Sequence, residues 1–370
     1  MLNIFKHRVF LLVSLSALCF LQSSIAAEAA SSPLISAELL SHANLKVLWE
    51  NELPIKDAES VEQLLILGNR VYIVSDKDYI ISLNRDNGQI VFAETFKPAG
   101  VLAGGFELYG DELLYVSGSR LVQIDAALGK ERATLDLGFG ATCPAARNDT
   151  FFYIAGADHR LHIFRVEDRI QVFEVSADND SMITSVLADE AFVIFSTAAG
   201  NIICMNPDNS TRQWQFDAFG AIAGPIVRDW ASLFFASKDT NVYRVDMIGP
   251  PEKKRLVWKY QANAVLDQAP RVTAEVVYQP VRGKGVVAID KEAGTRLWSL
   301  PGGLDLLAEH RNRAYVMTKA GTLTVMDNVN AKKLYSVNFA DASKYATNAA
   351  DEKIYVSDER GRMVCLQPME

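Results

Sequence analysis

A short arrangement of apolar and polar positions recurs eight times along this chain. Two apolar residues three apart are followed at once by a polar or charged one. That last residue is Asn84, Asp125, Arg165, Asn206, Asp246, Asp290, Asp327 or Gln367, a period of about 40 residues. One position before it stand Leu83, Ile124, Phe164, Met205, Val245, Ile289, Met326 and Leu366. Four before it stand Ile80, Leu121, Leu161, Ile202, Val242, Val286, Leu323 and Met363. Every one of these is apolar. Six before it comes a turn-forming site: Asp78, Ser119, His159, Gly200, Thr240, Lys284, Gly321 or Gly361. Eight after it an aromatic often follows, at Phe92, Phe173, Trp214, Trp298 and Tyr335.

Each unit therefore reads as strand, turn, strand, hairpin turn, strand, turn, aromatic strand. Residues one and four before the reference point to opposite faces of a strand. Both are apolar, so each sheet is expected to be covered on both sides by neighbours. No segment keeps a helical period. The pattern predicts an all-β fold, an eight-bladed β-propeller of four-stranded antiparallel blades. The eighth unit stops at Glu370, before its aromatic strand. The stretch Val47-Leu48-Trp49-Glu50 has no repeat ahead of it. The expectation is that this N-terminal strand completes the eighth blade and closes the ring, leaving no open edge. The propeller is expected to span residues 46–370 as one domain.

Residues 1–27 have the layout of a secretory signal peptide. Lys6, His7 and Arg8 precede the apolar run Val9–Leu21, and small residues Ala26 and Ala27 follow. The run is too short to span a bilayer, which takes about 20 residues. Leu18 precedes Cys19, where a lipidation signal wants a small residue, so cleavage near Ala27 is expected. Residues 28–45, rich in Ala and Ser, read as a short leader.

Composition narrows the function. Hydrophobic residues make up 49% and charged ones 22%, an ordinary folded protein with no transmembrane span in the mature chain. The net charge is −8, and losing Lys6 and Arg8 with the signal makes it −10. No dense basic face is available for phosphate, so no nucleic-acid partner is expected. The cysteines beyond the signal, Cys143, Cys204 and Cys365, are too few for a disulfide scaffold. Cys204 and Cys365 each fall two before their references, where other units carry Ser82 and Ala288. Small-residue packing is the reading.

Trp49, Trp214, Trp258 and Trp298 occupy the outer-strand position, and their regular placement predicts a structural role. The stretch Ala288-Ile289-Asp290-Lys291-Glu292-Ala293-Gly294-Thr295-Arg296-Leu297-Trp298 closely resembles the tryptophan-docking repeat of quinoprotein (PQQ) propellers. Ser82 to Phe92 is a weaker copy, and Gln123 to Gly129 is one without its aromatic. Two groups share this repeat. One comprises PQQ-dependent dehydrogenases. The other comprises cofactor-free propellers similar to outer-membrane β-barrel assembly factor B. The resemblance to the second implies an exported scaffold for a membrane-protein insertion machine. Membrane attachment is not carried over, because Leu18 breaks the lipidation pattern.

A quinoprotein needs a planar cofactor gripped between two faces and a cation held by oxygen ligands. Methanol-type members use adjacent cysteines as one face, and none are adjacent here. His159 and His162 point to opposite sides of a strand. Gly283-Lys284-Gly285 is no dinucleotide fingerprint. No catalytic residue, cofactor or metal ligand is assigned. What remains is surface. Gly249 to Arg255 lengthens one turn of the fifth unit, with Lys253 and Lys254 in it. Arg228, Asp229 and Trp230 form another turn of the same unit. Trp and Arg are favoured contact residues, so these five are the candidate partner contacts, although packing on the next blade is the slightly favoured reading for Trp230. The expected function is that of an exported, non-catalytic scaffold. It would be monomeric, in the periplasm and peripheral to the outer membrane, with envelope proteins such as the outer-membrane assembly machinery as partners. The alternatives are a PQQ-dependent oxidoreductase, or the remnant of one, and a carbohydrate-binding propeller.

Overall fold

A computed structural model describes residues 33–96, 102–249 and 255–369. The signal segment, Cys19, Lys253 and Lys254 lie outside these described residues. Eight four-stranded antiparallel sheets follow one another along the chain. Blades one to seven occupy residues 61–95, 102–136, 146–176, 183–217, 222–261, 271–301 and 303–338. Blade eight takes residues 344–368 and the N-terminal strand Leu45–Glu52. That strand pairs antiparallel with Arg362–Pro368, placing Trp49 opposite Cys365. The ends are stitched further. The Met369 amide donates to the Asn44 carbonyl at 2.8 Å, and Asn44 Nδ2 donates to the Met369 carbonyl at 3.0 Å.

The third strand of each blade carries the reference residue at or next to its end, as in Tyr79–Asn84 and Gly285–Asp290. Its chemistry explains the polar type. The Asp125 carboxylate accepts the amides of Ala127 and Leu128, both at 2.9 Å. Asn84, Asn206, Asp290 and Asp327 cap their own turns in the same way. A side-chain oxygen bonding amides two and three residues on is the Asx turn, which only Asp and Asn make well. Four residues past the reference the chain turns left-handed, at Gly88, Gly129, Arg169, Ser210, Gly294 and Ala331.

The apolar positions serve the two faces as the period requires. Leu83 and Ile81 pack toward blade eight, around Trp49 and Tyr355. Ile80 and Val74 pack toward blade two, around Phe92 and Tyr115. Eight buried clusters result, one at each junction between neighbouring blades. Six of the eight turn-forming sites, Asp78, His159, Gly200, Thr240, Gly321 and Gly361, take positive φ, while blades two and six use Gly118 and Gly283 instead.

The outer-strand aromatics dock sideways onto the next blade. A Cβ on Gly88 would lie 2.6 Å from the Trp49 ring. One on Gly129 would lie 2.5 Å from Phe92, and one on Gly294 2.5 Å from Trp258. Glycine lets the indole lie flat against the turn. The indole N–H then finds an acceptor in that turn: Trp49 bonds the Arg85 carbonyl at 3.1 Å and Trp258 the Lys291 carbonyl at 2.9 Å. Trp298 bonds Asn328 Oδ1 at 2.7 Å. Directly across the sheet stand small residues, Cys204 opposite Trp214 and Ala288 opposite Trp298. Blade two, which lacks an aromatic, reverses the sizes with Gln123 opposite Ala133.

The second half of the leader is part of the propeller. Ser36 caps a short helix, Ala37–His42, by accepting the Leu39 amide. Leu34, Ile35 and Leu40 are buried against blades seven and eight. The break between Met369 and Asn44 leaves blade eight without the turn that would receive Tyr335. Its hydroxyl instead donates to the Ala43 carbonyl at 2.9 Å.

Candidate functional site

First strands of adjacent blades touch one another, as between blades four and five, five and six, and eight and one. They line the axis, and the turns joining first to second strands ring one mouth of it. In blades one and two this turn begins with Gly68 and Gly110, at φ 55° and 59°. A two-residue hairpin needs positive φ there, which glycine supplies without strain. Blade five has Trp230 at that position, at φ 52°. It joins the strands Ile222–Asp229 and Ser232–Ser237. The side chain is 89% exposed, so it does not pack on the next blade.

The residues beside it hold the turn still. Arg228 Nε donates to the Trp230 carbonyl at 3.1 Å, and its guanidinium pairs with Asp189 of blade four. Burial opposes ionisation of Asp189, but Arg228 and the amides of Ala191 and Phe192 outweigh it and hold the carboxyl below its usual range. Asp229 pairs with the buried Lys291 of blade six. The Lys291 ammonium also donates to the Thr273 and Ala274 carbonyls at 3.0 and 3.1 Å. Arg228 and Asp229 are thus spent on bracing blade five from both sides, and Trp230 alone is presented outward.

The lengthened turn of the same blade departs from the docking rule. Arg255, not a glycine, covers the Trp214 ring, its guanidinium carbon 4.8 Å from the centroid. The same group donates to the Met247 carbonyl at 2.5 Å. Met247 matches Arg85 and Lys291, whose carbonyls receive indole N–H groups in other blades. With that acceptor taken, Trp214 Nε1 is buried without a partner among the described residues. Ile248, beside Trp230's turn through the 2.7 Å bond from the Met247 amide to the Ala231 carbonyl, is 64% exposed.

Two features escaped sequence reasoning. Phe219, in the connection from blade four to blade five, is 90% exposed on the opposite side of the ring. It lies five after Trp214, where the other units carry Pro54, Lys97, Asp178, Asn263, Gly303 and Ala340, and a large aromatic residue there was the available signal. The second is a carboxylate pair, Asp149 and Glu190, meeting at the Tyr109 hydroxyl at 2.7 and 3.0 Å. Three blades contribute, so no local pattern announces it. His162 is buried, stacked on Phe139 at 3.8 Å with Nε2 3.0 Å from Asp158, while His159 sits in the turn. Cys143, Cys204 and Cys365 are free and buried.

The molecule is a closed eight-bladed propeller whose blades are fastened by docked aromatics and whose exposed chemistry lies on its turns. It belongs to the outer membrane protein assembly factor BamB family, whose model matches residues 39–215 and 250–367. The stretch left unmatched, 216–249, carries the first three strands of blade five and Trp230. Among solved structures it is similar to BamB from Moraxella catarrhalis, at 16% identity over 87% of this chain and 97% of that one, with a TM-score of 0.67. It is also similar to the computationally designed Ika8 protein, at 12% identity over 86% and 99%, with a TM-score of 0.65. At these identities the likeness is one of fold. No curated protein matches the sequence. Among the described residues no helix is long and apolar enough to cross a membrane.

Proposed function

We propose that this chain is an exported, non-catalytic scaffold of the cell envelope, working in the periplasm beside the outer membrane as a monomer. In this reading it holds protein partners, those of outer-membrane protein assembly among them. Membership of the family supports the reading. The single observation that carries it is the Trp230 turn, where a glycine position holds an exposed tryptophan braced by ion pairs to both neighbouring blades. An aromatic presented on a rigid support loses little conformational entropy on binding, which is what a contact hot spot requires.

The test is recovery of partners from envelope extract with the full chain and its Trp230→Gly variant. Glycine suits the backbone there, so the fold stays intact. The variant is expected to lose at least one partner that the parent retains. Equal recovery of every partner removes this surface from the proposal.

A further inference from the structure

We infer that the surface around Trp230 takes a basic polypeptide segment, with a Lys or Arg side chain of the partner lying over the indole. This rests on the reading of Trp230 as a contact residue. The argument is one of charge around the channel mouth. Asp149 and Glu190 lie on the blade three and blade four turns, and both lean on one phenolic hydroxyl. That hydroxyl has a single proton, so it can donate to only one of them. Glu275 lies on the blade six turn, exposed. None of these three carboxylates has a basic partner among the described residues. Of the nearby cations, Arg228 pairs with Asp189, Lys291 with Asp229 and Arg244 with Glu292, while Arg255 lies over Trp214 and bonds backbone carbonyls.

The exposed indole thus stands between turns whose unneutralised charge is negative. A cation over a tryptophan face is attracted by the ring's quadrupole, and carboxylates alongside add to that attraction. Next to Glu275 the turns of blades six, seven and eight enclose a cleft of about 280 Å³ whose wall carries Glu275, Glu309 and Glu352 together with Arg311, and Asp351 paired to Arg85. Glu309 is held there by the hydroxyls of Thr273 and Tyr278 at 2.6 and 2.7 Å, which fix its position. An acidic peptide or an anionic membrane would meet repulsion on the same surface.

The experiment measures fluorescence anisotropy of the full chain with a labelled ten-residue peptide of alternating Lys and Leu. Its Glu-for-Lys counterpart and phosphatidylglycerol vesicles are tested in parallel, at low and at moderate salt. The Lys peptide is expected to bind and the other two are not. Trp230→Ala should weaken binding about 3- to 30-fold, the span of a cation–π contact. Glu190→Gln with Glu275→Gln should weaken it and flatten its salt dependence, while Phe219→Ala on the far side should leave it unchanged. Equal binding by all variants would show mere attraction to an acidic protein and overturn the inference. Trp230-dependent binding of the Glu peptide or of the vesicles would overturn it as well. If envelope partners are lost with Trp230→Gly while the Lys peptide ignores Trp230, this inference falls and the docking role stands.

Discussion

Replacing Gly88 by Ala tests how the ring is closed. Gly88 sits at φ +72°, and a Cβ there would lie 2.6 Å from Cδ2 and Cε3 of Trp49. Two costs add. Left-handed backbone at a non-glycine residue costs about 1–2 kcal/mol. Pushing the indole off its seat is overpacking, which costs about 1–3 kcal/mol. Gly110→Ala is the control, because φ there is +59° and nothing lies within 4 Å of its Cβ position; it carries the backbone cost alone. The expected loss is therefore about 2–5 kcal/mol at Gly88 against about 1–2 at Gly110. Urea unfolding followed by circular dichroism measures both. Trp49→Ala itself should cost about 3–5 kcal/mol, and in that background Gly88→Ala should shrink to the backbone cost. The coupling, about 1–3 kcal/mol, is the cost of the clash between the added Cβ and the docked indole. Gly88→Ala costing no more than Gly110→Ala, or costing the same with and without Trp49, would refute docking as the closure device.

Two further outcomes follow from the same geometry. Ala331 occupies the glycine position of its turn at φ 53°, so Ala331→Gly should raise stability by about 1 kcal/mol, read as a higher melting temperature. Burial pushes the thiols of Cys143, Cys204 and Cys365 up to about 12. At pH 8 these three should ignore an aromatic disulfide reagent until urea unfolds the chain. Because the unfolded thiols ionise near their ordinary value of about 9 while the folded ones stay neutral, their contribution to stability should fall as pH rises from there toward 12. Labelling of the native protein at the unfolded rate would contradict this.

The sequence by itself determined the wheel. Its period of apolar pairs and capping Asp or Asn residues is local chemistry, since five of the eight reference residues, Asn84, Asp125, Asn206, Asp290 and Asp327, bond amides two and three positions on. Apolar types on both strand faces leave sandwiched sheets as the only way to bury them, and the unpaired Trp49 strand had one place to go. The leader helix escaped because Leu34, Ile35 and Leu40 reveal their role only against blades seven and eight. Tertiary structure alone decided the character of blade five. Whether Trp230 packed or projected depended on ion pairs to Asp189 and Lys291, each on another blade. The convergence of Asp149 and Glu190 on Tyr109 joins residues 40 and 81 positions apart. Such contacts are set by how rigid sheets stack around an axis, and no spacing along the chain encodes them.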